Sequence, residues 1–177
     1  MEIWSIGHGT RAISDFVAIL ASAGIATLAD VRLAPGSRRH PQFGAAALER
    51  SLGESGIAYV HLPGLGGRRS PSPTSPHVGL RVAAFRGYAD HMDTPDFLRD
   101  YERLLALARG SRTAFMCAET LWWRCHRRLI ADRLTADGWN VTHLLEMRKS
   151  EPHKLTDAAR IVDGRLVYDA GTLPLPT

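Results

Sequence analysis

Cysteine is scarce in this sequence. The chain has only two, Cys117 and Cys125, too few for the disulfide framework that staples small secreted domains. Long apolar runs are also missing, and none approaches the roughly 20 residues that cross a bilayer. The N-terminal "MEIWSIGHGT" lacks the basic region and apolar core of a signal peptide. There is no internal repeat and no interior linker. These absences predict a cytoplasmic protein with no membrane partner. What remains is 177 residues, 45% hydrophobic and 23% charged, a balance that suits one globular domain over residues 1–177.

The net charge is +4. The basic side chains gather at "GSRRH" (Gly36–His40), "GGRRS" (Gly66–Ser70) and "WRCHRR" (Trp123–Arg128). Such clusters either keep a surface soluble or, if they converge, attract a polyanion such as nucleic acid, DNA above all.

Strands and helices alternate along the first half. "EIWSIGH" (Glu2–His8), "IATLADVR" (Ile25–Arg32) and "IAYVHLP" (Ile57–Pro63) read as strands. "SDFVAILASAG" (Ser14–Gly24) and "GAAALERSLGESG" (Gly44–Gly56) read as the helices between them. Gly64–Leu80 breaks the period with Gly, Ser, Pro and Arg, and reads as a long loop and candidate lid. Helices follow at Arg81–Met92 and Thr94–Gly110. A continuous apolar strand runs over Arg112–Glu119, a helix over Trp122–Gly138 and a fifth strand over Asn140–Glu146. Asp163-Gly164 marks a C-terminal β-hairpin within Ala159–Asp169. The pattern predicts an α/β fold in three layers. An open, mainly parallel five-stranded sheet of Rossmann-like order 3-2-1-4-5 carries helices on both faces.

In such a sheet, ligands bind beyond the carboxyl ends of the strands, where strand order reverses. Each strand here ends in a polar residue: His8, Asp30 with Arg32, His61, Cys117 with Glu119, and His143. The order 3-2-1-4-5 sets His8 across a crevice from Cys117 and Glu119, with Asp30 one strand away. Each has an ordinary reading as well. Asp30 and Arg32 would form a salt bridge tying two loops, and Cys117 would be an inert buried thiol. Glu119 must be paired, solvated or neutral so close to a buried strand.

Three chemistries compete for "AFMCAETLWWRCHRRLIADRL" (Ala114–Leu134). Zinc is disfavoured: Cys125 and His126 are neighbours on an expected helix, about 100° apart, and C-x₂₋₄-C spacing is missing. No metal and no cofactor is therefore expected. Thiol catalysis would use Cys117, which lies near an expected helix N-terminus and close to His126. The C-x₅-R spacing of phosphate loops does not occur. Carboxylate chemistry would use Asp30 and Glu119 to position water or stabilise an oxocarbenium ion. His126 and Arg127 would bind an anion at the helix start. Phe43, Tyr88, Trp122 and Trp123 are available to stack on a base, with helix–sheet packing as the alternative for the tryptophans.

The ordered set "SIGHGT", "LADVRLAPGSRRHPQF", "GIAYVHLPGLGG", "FRGYADHM", "MCAE" and "CHRRLIADRL" resembles the bacterial and archaeal family catalogued as domain of unknown function 488. The resemblance covers Ile3 to about Leu145. It implies an α/β sandwich with its motifs at one edge. It also implies a site built from His8, Asp30, Arg32, Ser37, Tyr88, Cys117, Glu119, Cys125, His126 and Arg127. The family's general activity is unsettled, and the resemblance points towards base excision from DNA. Two departures stand out: Gly9 where serine is usual, and "TLWWR" in place of a more polar, proline-bearing linker.

These readings converge on a nucleic-acid-directed hydrolase, most concretely a DNA N-glycosylase. Asp30, Glu119, His8 and Cys117 are its candidate catalytic groups. Arg32, Ser37, Arg38, Arg68, Arg69, Tyr88, Trp122, Cys125, His126 and Arg127 are its candidate substrate contacts. The alternatives are a Cys117-dependent transferase or hydrolase acting on a small anion, and a non-enzymatic anion-binding module.

Overall fold

The computed structural model describes residues 1–36 and 38–170. Five parallel strands form the body of the sheet: β1 (Glu2–Gly7), β2 (Thr27–Asp30), β3 (Ala58–His61), β4 (Thr113–Cys117) and β5 (Asn140–Glu146). A sixth, β6 (Lys149–Pro152), pairs antiparallel with β5. Two short strands, β7 (Ala159–Val162) and β8 (Arg165–Tyr168), make the expected C-terminal hairpin. Asp163 and Gly164 turn it with φ of 50° and 74°, the backbone a tight type I′ turn requires.

The α/β class is as expected, but the strand order differs. The sheet runs β3-β2-β4-β1-β5-β6, so β4 is inserted between β2 and β1. Parallel crossovers leave the same hydrophobic pattern whichever way they step along the sheet, so the pattern could not choose between the two orders. The pairing that matters is kept: β1 and β4 are neighbours, with Gly7 beside Cys117. Asp30 now lies next to β4, opposite Met116.

Alternation along the strands divides the core in two. Trp4, Ile6, Leu28, Ala114 and Met116 face one side, packed against α1 (Ile13–Ser22) and α2 (Ala45–Gly53) through Phe16, Leu20, Leu48 and Leu52. Ile3, Ala29, Phe115 and Cys117 face the other. There they meet α3 (Ala83–His91), α4 (Pro95–Gly110) and α5 (Arg127–Ala136) through Tyr88, Phe97, Leu104 and Leu129. A period of two is what a strand buried on both faces demands. Helix α4 starts as Thr94-Pro95 foretells: the Thr94 hydroxyl accepts from Phe97 N at 3.4 Å and Pro95 occupies the first turn. Among the described residues no helix is long and apolar enough to cross a membrane.

The chain leaves β1 towards α1 on one face and leaves β4 towards α5 on the other. Adjacent strands whose connections diverge in this way open a crevice between their carboxyl ends. Residues 66–82 form no regular element, yet they are tied down. Ser72 N donates to Asp90 at 2.8 Å, Gly79 N donates to the Tyr168 carbonyl at 2.7 Å, and His77 is buried against Tyr168.

Candidate active site at the carboxyl edge of the sheet

The crevice has a volume of about 790 Å³. His8, Arg32, Arg68, Tyr88, Cys117, Glu119, Cys125 and His126, all singled out from sequence, line it together. Arg39, His40 and Arg124, members of the basic clusters but not candidate contacts, and Thr120, which sequence reasoning passed over, also line it. Gly7 makes the close approach at its floor possible. A Cβ there would sit 1.8 Å from the Glu119 carbonyl oxygen, so only glycine lets β1 and the loop after β4 meet.

Asp30 and Arg32 form the first half of the site. Both are buried. The guanidinium grips the carboxylate at two points, Nη2 to Oδ2 at 2.5 Å and Nε to Oδ1 at 2.9 Å. Arg32 N donates to the same Oδ1 at 3.0 Å, and the Tyr59 hydroxyl donates to Oδ2 at 2.8 Å. Burial favours the neutral arginine, but the hydrogen bonds and charge of Asp30 outweigh it and hold the guanidinium more firmly protonated than usual. With both oxygens engaged, Asp30 has no lone pair aimed at a substrate. It positions Arg32, which is the ordinary salt-bridge reading of this pair.

His8 stacks on Phe43 with ring centres 4.2 Å apart. Phe43, available from sequence as a base-stacking ring, is instead fully buried beneath this histidine. His8 Nδ1 donates to the Gly9 carbonyl at 2.9 Å, which turns Nε2 towards Arg32 Nη1 at 3.4 Å. Burial, then the charges of Arg32 and His40, lower the His8 pKa to about 4. The ring is therefore neutral at neutral pH, with Nε2 as an acceptor.

The second half of the site comes from β4 and the start of α5. Cys117 ends β4. Residues Trp122–Arg124 make a single 3₁₀ turn, Cys125 is extended with φ −127° and ψ 152°, and α5 begins only at Arg127. Cys125 and His126 thus precede the helix, and the helical 100° argument against their sharing one ligand does not apply. His126 Nε2 lies 3.1 Å from the Val31 carbonyl, which can only accept. The proton therefore sits on Nε2 in the neutral ring, and the Nδ1 lone pair faces both sulfurs, 3.7 Å from Cys117 and 3.6 Å from Cys125. The hydrogen bond with Cys125, then burial, push the Cys117 thiol well up. Burial also resists ionisation of Cys125, but Cys117, His126 and Arg127 together outweigh it and bring that thiol well down. The two thiols are thus linked, and ionisation of one opposes ionisation of the other.

Glu119 is exposed at the crevice rim, so of the three states open to it the carboxylate is solvated. Gly9 has φ +54°, and a Cβ there would lie 2.0 Å from Thr120 Oγ1. The hydroxyl missing at position 9 is thus replaced in space by one from the loop after β4.

Other expected contacts lie elsewhere. Arg127 is buried under the loop and donates to the carbonyls of Glu119, at 2.5 Å, and Thr120, at 3.3 Å. It fixes the loop from behind and does not line the crevice. Trp122 stacks on His143 at 4.1 Å and donates through Nε1 to Glu151, so it serves packing. Arg69 Nε donates to the Gly66 carbonyl at 3.2 Å. Neither Arg69 nor the exposed Arg38 lines the crevice. Ser37 lies outside the described residues. His61, at the end of β3, bonds the Arg32 carbonyl through Nε2 at 2.8 Å.

His143 does not join the site. It belongs to a buried relay: Ser5 Oγ to His143 Nδ1 at 2.6 Å, His143 Nε2 to His153 Nδ1 at 3.0 Å, and His153 Nε2 to Asp132 Oδ1 at 2.9 Å. Since the carboxylate only accepts, each proton in the relay points towards Asp132. Burial, then the charges of His153 and Arg127, lower the His143 pKa to about 2. The histidine depressions set an acid dependence. His8 and His143 stay neutral when folded, whereas the unfolded chain binds their protons near the ordinary 6.5. Stability is full above that pH and is lost as pH falls from about 6.5, through about 4 for His8 and on to about 2 for His143. Urea midpoints measured at stepped pH should fall over this window, and His8→Gln should flatten part of the slope. A midpoint constant down to pH 4.5 would contradict the assignment.

No curated protein and no solved structure matches this chain. A family model described as "Domain of unknown function DUF488" matches residues 12–134, a span that holds Asp30, Arg32, both cysteines, Glu119 and the start of α5. The chain belongs to the family of domain of unknown function 488.

Proposed function

We propose that the protein is a nucleic-acid-directed hydrolase that opens the N-glycosidic bond of a modified or damaged base in DNA. The charge of the crevice carries this reading: four arginines line it, Arg32 already paired with Asp30, against one lining carboxylate, Glu119. Guanidinium groups around a concave site concentrate phosphodiester backbone and release its counterions. The volume of about 790 Å³ falls within the range of roughly 300–1,000 Å³ usual for ligand pockets, and Phe85 and Tyr88 give it an aromatic wall. A base swung out of the stack enters here. Arg32, Arg68 and Arg124 hold phosphate oxygens. Glu119 takes a proton from water, the water oxygen bonds to the sugar C1′, and the C1′–N bond breaks as the base leaves with its electron pair. The Gly64–Leu80 loop brings Gly67 and Arg68 to the crevice and walls the base on that side. Free Cys117 and Cys125 suit the reducing cytoplasm, where we place this activity.

The assay is abasic-site formation in DNA carrying a panel of base lesions. Glu119→Gln is expected to lower turnover by about 10²–10⁴-fold, the usual worth of a general base, and to leave DNA binding in place. No abasic product from any lesion, with binding no tighter than a neutral protein's at moderate salt, would end the proposal. One observation favours a second reading, thiol chemistry on a small anion: both sulfurs and the His126 lone pair meet in the crevice. Under it one of the two sulfurs is the nucleophile, and either Cys117→Ser or Cys125→Ser should abolish turnover. Full activity in both Cys117→Ser and Cys125→Ser excludes it.

A further inference from the structure

We propose that Cys117, Cys125 and His126 bind a soft or borderline divalent cation, zinc foremost, with a fourth coordination position open to the crevice. The inference goes beyond the hydrolase reading and does not depend on which substrate is used. The three donor atoms lie within 4.8 Å of one another. The two sulfur-to-nitrogen separations are 3.7 and 3.6 Å. A tetrahedral zinc with Zn–S of about 2.3 Å and Zn–N of about 2.0–2.1 Å needs about 3.5 Å between S and N. The two sulfur–nitrogen pairs are therefore close to ligating distance, and the sulfurs, within 4.8 Å of each other, would settle at about 3.8 Å when both bind one ion.

Three further features fit an ion. The His126 ring is held by its Nε2 bond to the Val31 carbonyl at 3.1 Å, the backbone anchor that orients a metal-bound histidine and leaves the other nitrogen free to coordinate. That nitrogen faces both sulfurs at once, so all three donors converge on one point where a cation can sit. Gly67 leaves room beside it: a Cβ there would stand 2.8 Å from Nδ1. Charge agrees as well. Two thiolates and a neutral imidazole cancel a divalent ion, so the site adds no net charge next to buried Arg32 and Arg127.

Three protein ligands with one open position is the arrangement of catalytic zinc, since structural sites close with four. All three residues line the crevice, so the open position meets whatever binds there. Soft thiolate ligands favour zinc over magnesium or calcium.

The test uses the full-length protein and metal alone. Cobalt(II) added to reduced wild-type protein should give a thiolate-to-cobalt charge-transfer band that saturates at one equivalent, and zinc should remove it. X-ray absorption of the zinc form should show two sulfurs at about 2.3 Å and a nitrogen at about 2.0–2.1 Å. The Cys117→Ser/Cys125→Ser double variant should lose the band. Gly67→Ala keeps every ligand but crowds the His126 ring, and should weaken zinc binding by about 10–100-fold. The proposal is overturned by a wild-type protein that gives no charge-transfer band, by a zinc shell of oxygen and nitrogen only, or by an undiminished band in the double variant. None of these outcomes bears on whether DNA is the substrate, so failure here is separable from failure of the hydrolase reading.

Discussion

Replacing Asp30 by asparagine is expected to cost about 3–5 kcal/mol of folding stability, the usual penalty for removing one partner of a buried ion pair. The carboxylate is fully buried and Arg32 nearly so. The asparagine would fill the same volume, but its amide nitrogen would face Arg32 or Tyr59, donor against donor. The arginine charge would then remain in a low-dielectric site without compensation. In molecules that stay folded, Arg32 should swing towards the crevice and release its contact with His8. Turnover should therefore fall because Arg32 is misplaced, whereas DNA affinity, with one negative charge fewer at the crevice, should not fall. Tyr59→Phe is the control. It removes one hydroxyl bond to Asp30, keeps the ion pair, and should cost only about 1 kcal/mol. Urea unfolding of the three proteins checks this directly. An Asp30→Asn variant as stable as Tyr59→Phe would show that the pair is not what holds this edge together.

Asp132→Ala is expected to be of similar size and to act at a different place. Its carboxylate accepts from His153 Nε2 at 2.9 Å, Thr156 N at 2.9 Å, Thr156 Oγ1 at 2.7 Å and the Tyr168 hydroxyl at 3.0 Å. It thus fastens the chain after β6 and the β7–β8 hairpin to α5. Each buried donor left without an acceptor costs about 1–3 kcal/mol, so a loss of at least 4 kcal/mol is expected. Hydrogen exchange should locate the damage. Amides of His153–Tyr168 should lose protection before those of β1 and β4, because His153, Thr156 and Tyr168 all share the Asp132 carboxylate as an anchor. DNA affinity per folded molecule should be nearly unchanged, since none of these groups lines the crevice. Uniform loss of protection across the whole chain would contradict this picture of a separately anchored C-terminal segment.

The gathering of polar strand ends was legible in the sequence, for a physical reason. Strands buried on both faces are mostly apolar until they leave the sheet, so a polar residue at the carboxyl end marks the edge where ligands bind, while Ser5 and His143, polar in mid-strand, serve the buried relay instead. His8, Arg32, Cys117 and Glu119 were found that way. The strand order was not legible, and the edge strand β6, "KSEP", carries no apolar signal because it is largely exposed. Asp30 could be read as base or as salt-bridge partner. The choice required Tyr59, which lies on a different strand. The start of α5 was misplaced because "WWRCHRRLIADRL" keeps a helical pattern through a segment that contains a 3₁₀ turn and an extended cysteine. That shift of five residues changed Cys125 and His126 from divergent helix positions into neighbours whose sulfur and Nδ1 converge at 3.6 Å. The relay from Ser5 to Asp132 joins four segments far apart in sequence, and no spacing announces it.

The account rests on the crevice being an anion-binding centre. The most direct measurement is the salt dependence of DNA affinity for Arg68→Ala/Arg124→Ala beside Arg109→Ala/Arg165→Ala. The first pair lines the crevice. The second is exposed on α4 and β8 and removes the same charge. Each lost phosphate contact flattens the plot of log affinity against log salt by about 1. The crevice pair should therefore lose about 2 from the slope, while the remote pair stays close to wild type. Equal slopes in the two double variants would mean that attraction to DNA is spread over the whole surface, and that the crevice has no special part in it.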